Sequence, residues 1–442
     1  MRTLILIVSL GMAAGTCFGM SQTAQQDSIW TLQECIEYAF ERNIQIRKGE
    51  LSNQRFALYA DQAKAQRLPS ANASVSQNFN WSKSSASGSS GFSGVNGSNY
   101  SVNSGVTIYN ASRISSQIKQ ADLEIQSGQY SLETTKESIS LSILNAYLQV
   151  LYVEEQVKNT RKQIESTTGQ LNLASERLVL QVISIADYSQ VKSQLASEKL
   201  TFANSESQLA IAKINLMQLM ELPVQENFNI AHPNLTTLLN QGRFPDVNAV
   251  YETALSIKPQ VKNADLNKEI ASLDEKIAKS SYFPVLSASA GISSAYSSQT
   301  TDPYFDQMNN GIRPSAGFSL SIPIYQRKQV KTSVAVAKLG YQDAELSEID
   351  TKNQLRKSIE QACLDVTSAQ IEYEASIEKY SATQESAALS DEKFKQGIIN
   401  SVDYLVSKTN LIVAESQLLQ SKFNLIFSYK ILDFYMGIPL SI

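Results

Sequence analysis

Histidine is almost missing from this chain of 442 residues. With His232 as the only imidazole, a multi-histidine metal cage is excluded, and a Ser-His-Asp triad could be built at one place only. His232 stands beside Pro233 and reads as an exposed loop residue. Cysteine is nearly as scarce: three residues exclude a disulfide scaffold and a four-cysteine zinc site, and Cys35 and Cys363 read as small apolar residues on helices. A basic surplus is lacking too, since 38 Lys+Arg face 42 Asp+Glu for a net charge of −4. A protein that tracks nucleic-acid phosphates needs a basic face, so that partner class is excluded. Charge of either sign is thin at 18%, while mean hydropathy is only −0.19, so neutral polar residues fill the surface. No side chain pattern supplies an activated base at a motif spacing, so neither an enzyme nor a metal or cofactor site is expected.

Long apolar runs are also absent. Arg2 precedes a short apolar stretch from Leu4 to Ala14 that gives way to small residues, which reads as a secretory signal over residues 1–24. Cys17 invites lipidation, but Thr16 before it is a poor residue for that signal. Beyond the signal no stretch of about 18 apolar residues occurs, so no transmembrane helix is expected.

Proline is missing from two long tracts, Ser70 through Leu222 and Ile324 through Ile438, whereas Pro223, Pro233, Pro245 and Pro259 crowd one interval. Such tracts permit long helices. Within the first, Ile139, Ile143, Ala146, Val150, Val153, Val157, Thr160, Ile164, Thr167, Leu171, Ala174 and Leu178 recur with alternating steps of four and three. That is a heptad seam, and a helix over 113–180 would measure roughly 100 Å.

The chain also resembles itself. Asp187-Tyr188 and Asp403-Tyr404 lie 216 residues apart, as do Tyr109 and Tyr325, and Pro223 and Pro439; Ala39 and Ala254, and Pro69 and Pro284, are 215 apart. Leu355, Ile359, Ala362, Val366, Ala369, Tyr373, Ala387 and Phe394 carry the seam into the second copy. The reading is a tandem repeat. The first copy, 25–223, holds a helix, a β-hairpin at 70–110, a long helix at 113–180 and a helix at 184–222. The second, 247–442, holds a helix, a hairpin at 284–325, a long helix at 328–396 and a helix at 400–436, and residues 224–246 link them.

The hairpins follow from period two. Ala71, Ala73, Val75, Phe79 and Trp81 alternate with Asn72, Ser74, Ser76, Asn78 and Asn80, and Tyr100, Val102 and Val106 alternate with Ser101, Asn103 and Thr107. Leu286, Ala288, Ala290 and Ile292, then Ala316, Phe318, Leu320 and Ile322, repeat the pattern. The polar partners are uncharged, and strands of about ten residues, tilted, span roughly 25 Å of hydrocarbon. One face suits lipid and the other water. Trp81, Tyr100, Tyr109, Tyr296 and Tyr325 near strand ends are candidates for a belt at the membrane interfaces. The segments Ser84 to Ser98 and Ser297 to Arg313 read as loops on the far side. Four strands cannot close a barrel, and an open edge is not tolerated in a bilayer, so further copies must complete it. Two chains would give eight strands with a filled interior, whereas three give twelve and leave a lumen, so a homotrimer in outer-membrane lipid is expected.

These features resemble the TolC-like outer-membrane factors. The likeness rests on the tandem repeat, on Leu32-x-x-Cys35-Ile36-x-x-Ala39 with Asn43, on Arg67-Leu68-Pro69 and Tyr282-Phe283-Pro284 before the strands, and on Gln396 through Asp403 at a helical turn. It implies an α+β membrane protein, a trimeric 12-stranded barrel continued by a coiled-coil periplasmic tunnel. The implied function is the outer-membrane channel-tunnel of a tripartite efflux pump, working with a periplasmic adaptor and an inner-membrane transporter of the RND or ABC type. A type I secretion channel is the near alternative, and a trimeric coiled-coil adhesin one of another class. By the same resemblance Gln181, Ser184, Asp187, Gly397 and Asn400 lie at the periplasmic tips where the adaptor docks. Asp403 would form an acidic ring in the aperture, with Asp391 and Glu392 as the next candidates. Gln181 departs from the glycine of the motif, Ile399 stands where relatives carry an arginine, and Val406 where many carry a second aspartate. Ser184 and Asn400 suit helix N-caps, with Asp187 and Asp403 three residues on.

Overall fold

The computed structural model describes residues 29–83, 92–224, 227–233 and 246–441. The expected signal, Cys17 and most of the linker lie outside the described residues.

Freed from proline, α3 (Arg113–Val179) and α8 (Gln329–Lys395) run unbroken for 67 residues each, about 100 Å at 1.5 Å per residue. Each is followed by a helix of 35 residues, α4 (Ile185–Leu219) and α9 (Ser401–Tyr435). Each half starts with a bent pair, not the single helix expected: α1 (Leu32–Arg42) with α2 (Ile44–Ala65), and α5 (Val247–Ile257) with α6 (Pro259–Ser280). The elbows have local causes. Asn43 takes an extended conformation, its side chain accepts from the Gln45 amide, and its amide nitrogen reaches the Leu219 carbonyl at 3.0 Å. Lys258 takes the matching place, with Pro259 starting α6 where its missing N–H costs nothing. The Lys258 ammonium is buried 3.1 Å from Glu137 and 3.2 Å from the centroid of the Phe434 ring. The two elbows thus fasten to the ends of α4 and α9 by different chemistry.

Between the bent pairs and the long helices lie β2 (Ser70–Lys83), β3 (Phe92–Tyr109), β5 (Val285–Ser297) and β6 (Arg313–Ser321), in one antiparallel sheet of order β2-β3-β5-β6. A second, two-residue parallel pairing joins β1 (Ile29–Trp30) to β4 (Asn229–Ile230), an element absent from the sequence reading. Tyr147 seals it by donating its hydroxyl to the Ala231 carbonyl at 2.8 Å. Two other expectations are corrected. Residues 92–98 of the expected loop belong to β3, because Gly94 and Gly97 pair with Trp81 and Asn78 and the ladder needs backbone, not apolar side chains. The expected loop after Ser297 holds a short helix, α7 (Tyr304–Asn310), led by Pro303.

Apolar burial concentrates where the short helices meet the long ones. Leu32, Cys35, Ile36 and Ala39 of α1 pack on Ile143, Tyr147 and Leu151 of α3 and on Leu216 of α4. Val250 and Ala254 of α5 pack with Ile359, Val366, Leu425 and Tyr429. Every residue of the first seam is buried or half-buried. Toward the sheet, helices lie side by side in the order α2-α3-α6-α8, and polar links tie the neighbours: Lys64 to Asp122 at 3.1 Å, Lys119 to Glu269 at 2.6 Å, and Lys268 to Glu348. Away from the sheet α3 packs on α4 and α8 on α9. Cys35 and Cys363 are free and buried in separate clusters, and burial pushes the Cys35 thiol up to about 12. No described helix is long and apolar enough to cross a membrane.

Candidate functional site

Two regions carry the chemistry, the sheet at one end and the helix turns at the other. In the sheet, directly opposed residues share a face. The register aligns Ala73, Val102, Ile292 and Pro314 in one row, and Val106, Ala288 and Phe318 in another, on one face. Val75, Phe79, Trp81, Val102, Ile292, Phe318 and Leu320 on this face are all exposed. The opposite face reads Ser74, Ser101, Ser293 and Arg313 across one row, and is otherwise Ser, Asn, Gly and Thr with a few small apolar residues. An exposed apolar face of this kind marks a surface that meets lipid or another apolar surface, and its alternation with a neutral polar face suits a barrel wall. Along β3, Tyr100 and Tyr109 bound the apolar stretch; at about 3.3 Å per residue they lie roughly 30 Å apart along the strand. A bulge between Thr107 and Tyr109 brings Tyr109 opposite Leu286. Tyr296 pairs with Ser98, Trp81 stacks on Phe79 with centroids 6.3 Å apart, and Tyr325 follows β6, largely exposed.

At the other end, the α3–α4 and α8–α9 turns are built alike. The Val182 amide donates to the Arg177 carbonyl and the Ile398 amide to the Lys393 carbonyl, each at 2.9 Å, closing the two helices. Gln181 and Gly397 hold the left-handed residue at φ 57° and 75°. The Ser184 hydroxyl accepts from the Asp187 amide at 3.1 Å and the Ser184 amide donates back to the Asp187 carboxylate at 3.3 Å, a capping box, while Asn400 accepts from the Asp403 amide at 2.8 Å.

The two aspartates then part company. Asp187 accepts from the Ser184 hydroxyl at 2.6 Å and from the Ser401 hydroxyl of the second turn, and these two donors hold its carboxyl below the ordinary range. Asp403 is exposed, and its carboxylate has no hydrogen-bond or ion-pair partner among the described residues. Asp391 is engaged with Lys395 at 2.7 Å, and Glu392 accepts from Gln396 at 3.3 Å, so neither is the free carboxylate that Asp403 is.

Several residues here went unread in the sequence. Arg177 reaches from α3 to the Phe394 carbonyl at 3.2 Å and to that of Lys395, capping the end of α8. Phe394 and Tyr404 stack with centroids 4.6 Å apart. Beneath them Lys408 sits almost wholly buried, 3.4 Å from Glu198 and 3.3 Å from the Gln170 side chain, and also reaches Thr167. Burial pushes the Lys408 ammonium down, opposed by Glu198. The available signal was a lysine in phase with Ser401, Tyr404 and Leu405 on the buried side of a heptad. Around this clasp the turns leave Val179, Leu180, Val182, Ile185, Ile398, Val402 and Val406 exposed. His232 lies 3.3 Å from Glu154, which also meets Lys213. Among the described residues no group of three His, Cys, Asp or Glu side chains could hold a metal.

A sheet with one exposed apolar face, set on a long coiled coil with two closed turns at its far end, is the architecture an outer-membrane channel requires. The chain belongs to the outer membrane efflux protein family, whose profile matches residues 35–221 and again 250–437. That places it in the outer membrane with a periplasmic part, in a family of channels and not of enzymes. Among curated relatives it is similar to the pyoverdine export outer membrane protein OpmQ of Pseudomonas aeruginosa, 26% identical over 43% of this chain and 40% of the other. It is also similar to the outer membrane protein TolC of Escherichia coli, 24% identical over 66% and 60%. The matches span between 40% and 63% of the length of the curated relatives. The fold is shared with the solved structures of CusC, with a TM-score of 0.79 over 94% of this chain and 96% of that one at 14% identity.

Proposed function

We propose that three copies of this chain close into the outer-membrane conduit of a tripartite efflux pump. The observation that carries this is a coincidence of free edges. The sheet ends on β2 and β6, and the helix wall ends on α2 and α8, in the same lateral order. Joining β6 to the next copy's β2 therefore joins α8 to its α2 at once. Both edge helices leave apolar residues exposed seven apart, Ile44, Leu51 and Leu58 on α2, and Leu339 and Leu346 on α8, as an unmade coiled-coil seam would. Twelve strands then enclose a lumen lined by the polar face, neutral but for Arg313 at the start of β6, and cost no open edge.

The tandem repeat belongs to the same reading. Left-handed residues recur as Ala111 and Arg327, Ser112 and Lys328, Gln181 and Gly397, and Glu221 and Gly437, each pair 216 apart. Paired helices are equal in length at 11, 22, 67 and 35 residues. Six such helical turns, two from each chain, surround the periplasmic end. Their exposed apolar residues would each yield about 1.5–3 kcal/mol on full burial, which suits docking of a helical adaptor that leads to an inner-membrane transporter of the RND or ABC type. Asp403, the free carboxylate, stands for the aperture ring. Trp81, Tyr100, Tyr109, Tyr296 and Tyr325 stand for the interface belts. A type I secretion channel is the second reading, and one relative is named toxin and drug export protein A.

Photocrosslinkers placed at Val182 and Ile398 in living cells test the proposal. They should trap a periplasmic adaptor, while one at Phe318 should not, and cells lacking the chain should retain a dye that pumps expel. Tips that trap no adaptor, together with unchanged dye retention, contradict it.

A further inference from the structure

Near the far end of the sheet the apolar face turns polar. Gln77, Asn96, Ser98 and Ser294 occupy it there, and such groups are costly against hydrocarbon unless paired. Gln77 bonds Asn96 and Ser98, and the short helix α7 satisfies or covers the rest. Ser294 donates to the Met308 carbonyl at 2.7 Å, the Tyr100 and Tyr304 hydroxyls lie 2.7 Å apart, and Tyr304 packs on Tyr296 with centroids 4.8 Å apart. Gln307 accepts from the Ser297 amide at 3.0 Å and donates to the Asp302 carbonyl at 2.7 Å. At Gly311 a Cβ would lie 2.5 Å from the Gln307 carbonyl, so glycine lets the chain turn sharply back into β6. Helix α7 is thus folded down onto the wall itself.

Its outward side is aromatic. Phe305 is 81% exposed, its ring set edge-on to Tyr304 at 5.5 Å. A second copy of the chain does not cover it, because α7 rests over the central strand β5 and reaches β3 through the Tyr304–Tyr100 hydroxyl pair, while the edges that copies would join are β2 and β6. The surface is continuous with the apolar face, and Phe79 and Trp81 stand nearby at the same end. An apolar ring beside tyrosine hydroxyls, above an apolar band and below the loop, is the chemistry of a headgroup–acyl boundary.

We propose that α7 is an interfacial foot: the segment between β5 and β6 steps down onto the outer wall of the barrel and sets Phe305 and Tyr304 into the boundary layer of the outer leaflet. The proposal rests on the reading of the apolar face as the lipid face, so the experiment reads both. Full-length chain carrying Phe305→Cys, Phe318→Cys or Ser319→Cys is labelled with an environment-sensitive dye and reconstituted in phosphatidylcholine–phosphatidylglycerol vesicles. The vesicles contain lipid with a nitroxide near the headgroup or near the chain end, and iodide serves as the aqueous quencher. Cys35 and Cys363 are buried, and the unsubstituted chain labelled in parallel gives the baseline. Phe305 is exposed, and its substitution leaves the Ser294–Met308, Tyr100–Tyr304 and Gln307 bonds that hold α7 on the sheet in place. The label at 305 should be quenched about twofold more by the shallow nitroxide than by the deep one, and little by iodide. The label at 318 should favour the deep nitroxide, and that at 319 should answer to iodide. If 318 reports lipid while 305 is as open to iodide as 319, the foot is wrong and the lipid wall stands. Stronger quenching of 305 by the deep nitroxide also overturns an interfacial position. If 318 fails to report lipid, the wall and the foot fall together.

Discussion

Gln181 and Gly397 hold the same left-handed turn, but only glycine does so without a steric cost, which for other residues is about 1–2 kcal/mol. Gln181→Gly should therefore raise stability by about 1 kcal/mol, and Gly397→Ala should lower it by a similar amount, read as shifts in denaturant midpoint. No change in either would mean the turns are set by packing and not by backbone preference. The turn at Gln181 was hard to read because its closing bonds are made by backbone, from Val182 to Arg177, and leave no mark in residue type. Asp187 and Asp403 read alike as caps, and nothing in the sequence showed that Ser401 would engage one and leave the other free. That difference carries a second prediction. If three copies close as proposed and bring their Asp403 carboxylates near the axis, the channel should favour cations and bind divalent ions that reduce the current in a planar bilayer. Asp403→Asn should weaken both effects while the helix stays capped by Asn400. Unchanged selectivity and divalent block would reduce Asp403 to a cap-side residue.

Elements were legible where the pattern is periodic. The seam from Ile139 to Leu178 is buried or half-buried throughout, and the alternation of Ala71 through Trp81 separates onto two faces. Elements that depend on one side chain reaching another were not. The elbow at Lys258 needs Glu137 and Phe434, and α7 needs Tyr100 and Ser294, all distant in sequence. Glu348 is a third case: on α8, it takes Lys268 of α6 and Lys352 of its own helix, and their ammonium groups hold its carboxyl at about 2 against an ordinary 4.5. A depressed carboxyl contributes stability that is fully present above pH ~4.5 and is lost as pH falls toward ~2. Thermal unfolding of the solubilised protein should thus drop across that window, and Glu348→Gln should flatten the drop while lowering stability near neutral pH. Equal pH curves for both proteins would show that the α6–α8 link contributes nothing.

At the scale of the whole molecule, the described residues leave the sheet with two unpaired edges, β2 and β6, and the helix wall with two edge helices, α2 and α8, in the same order. That two hairpins cannot close a barrel was legible in the sequence; the lateral order of the helices required the structure. The account therefore stands on closure by two further copies. The most direct test is the mass of the detergent-solubilised protein, measured on the same preparation that conducts in a planar bilayer, for the native chain and for Leu51→Glu with Leu58→Glu on the edge of α2. The account predicts three chains per conducting particle, and dissociation with loss of conductance in the double variant. A stable monomer that conducts, or a double variant that conducts as native, would contradict it.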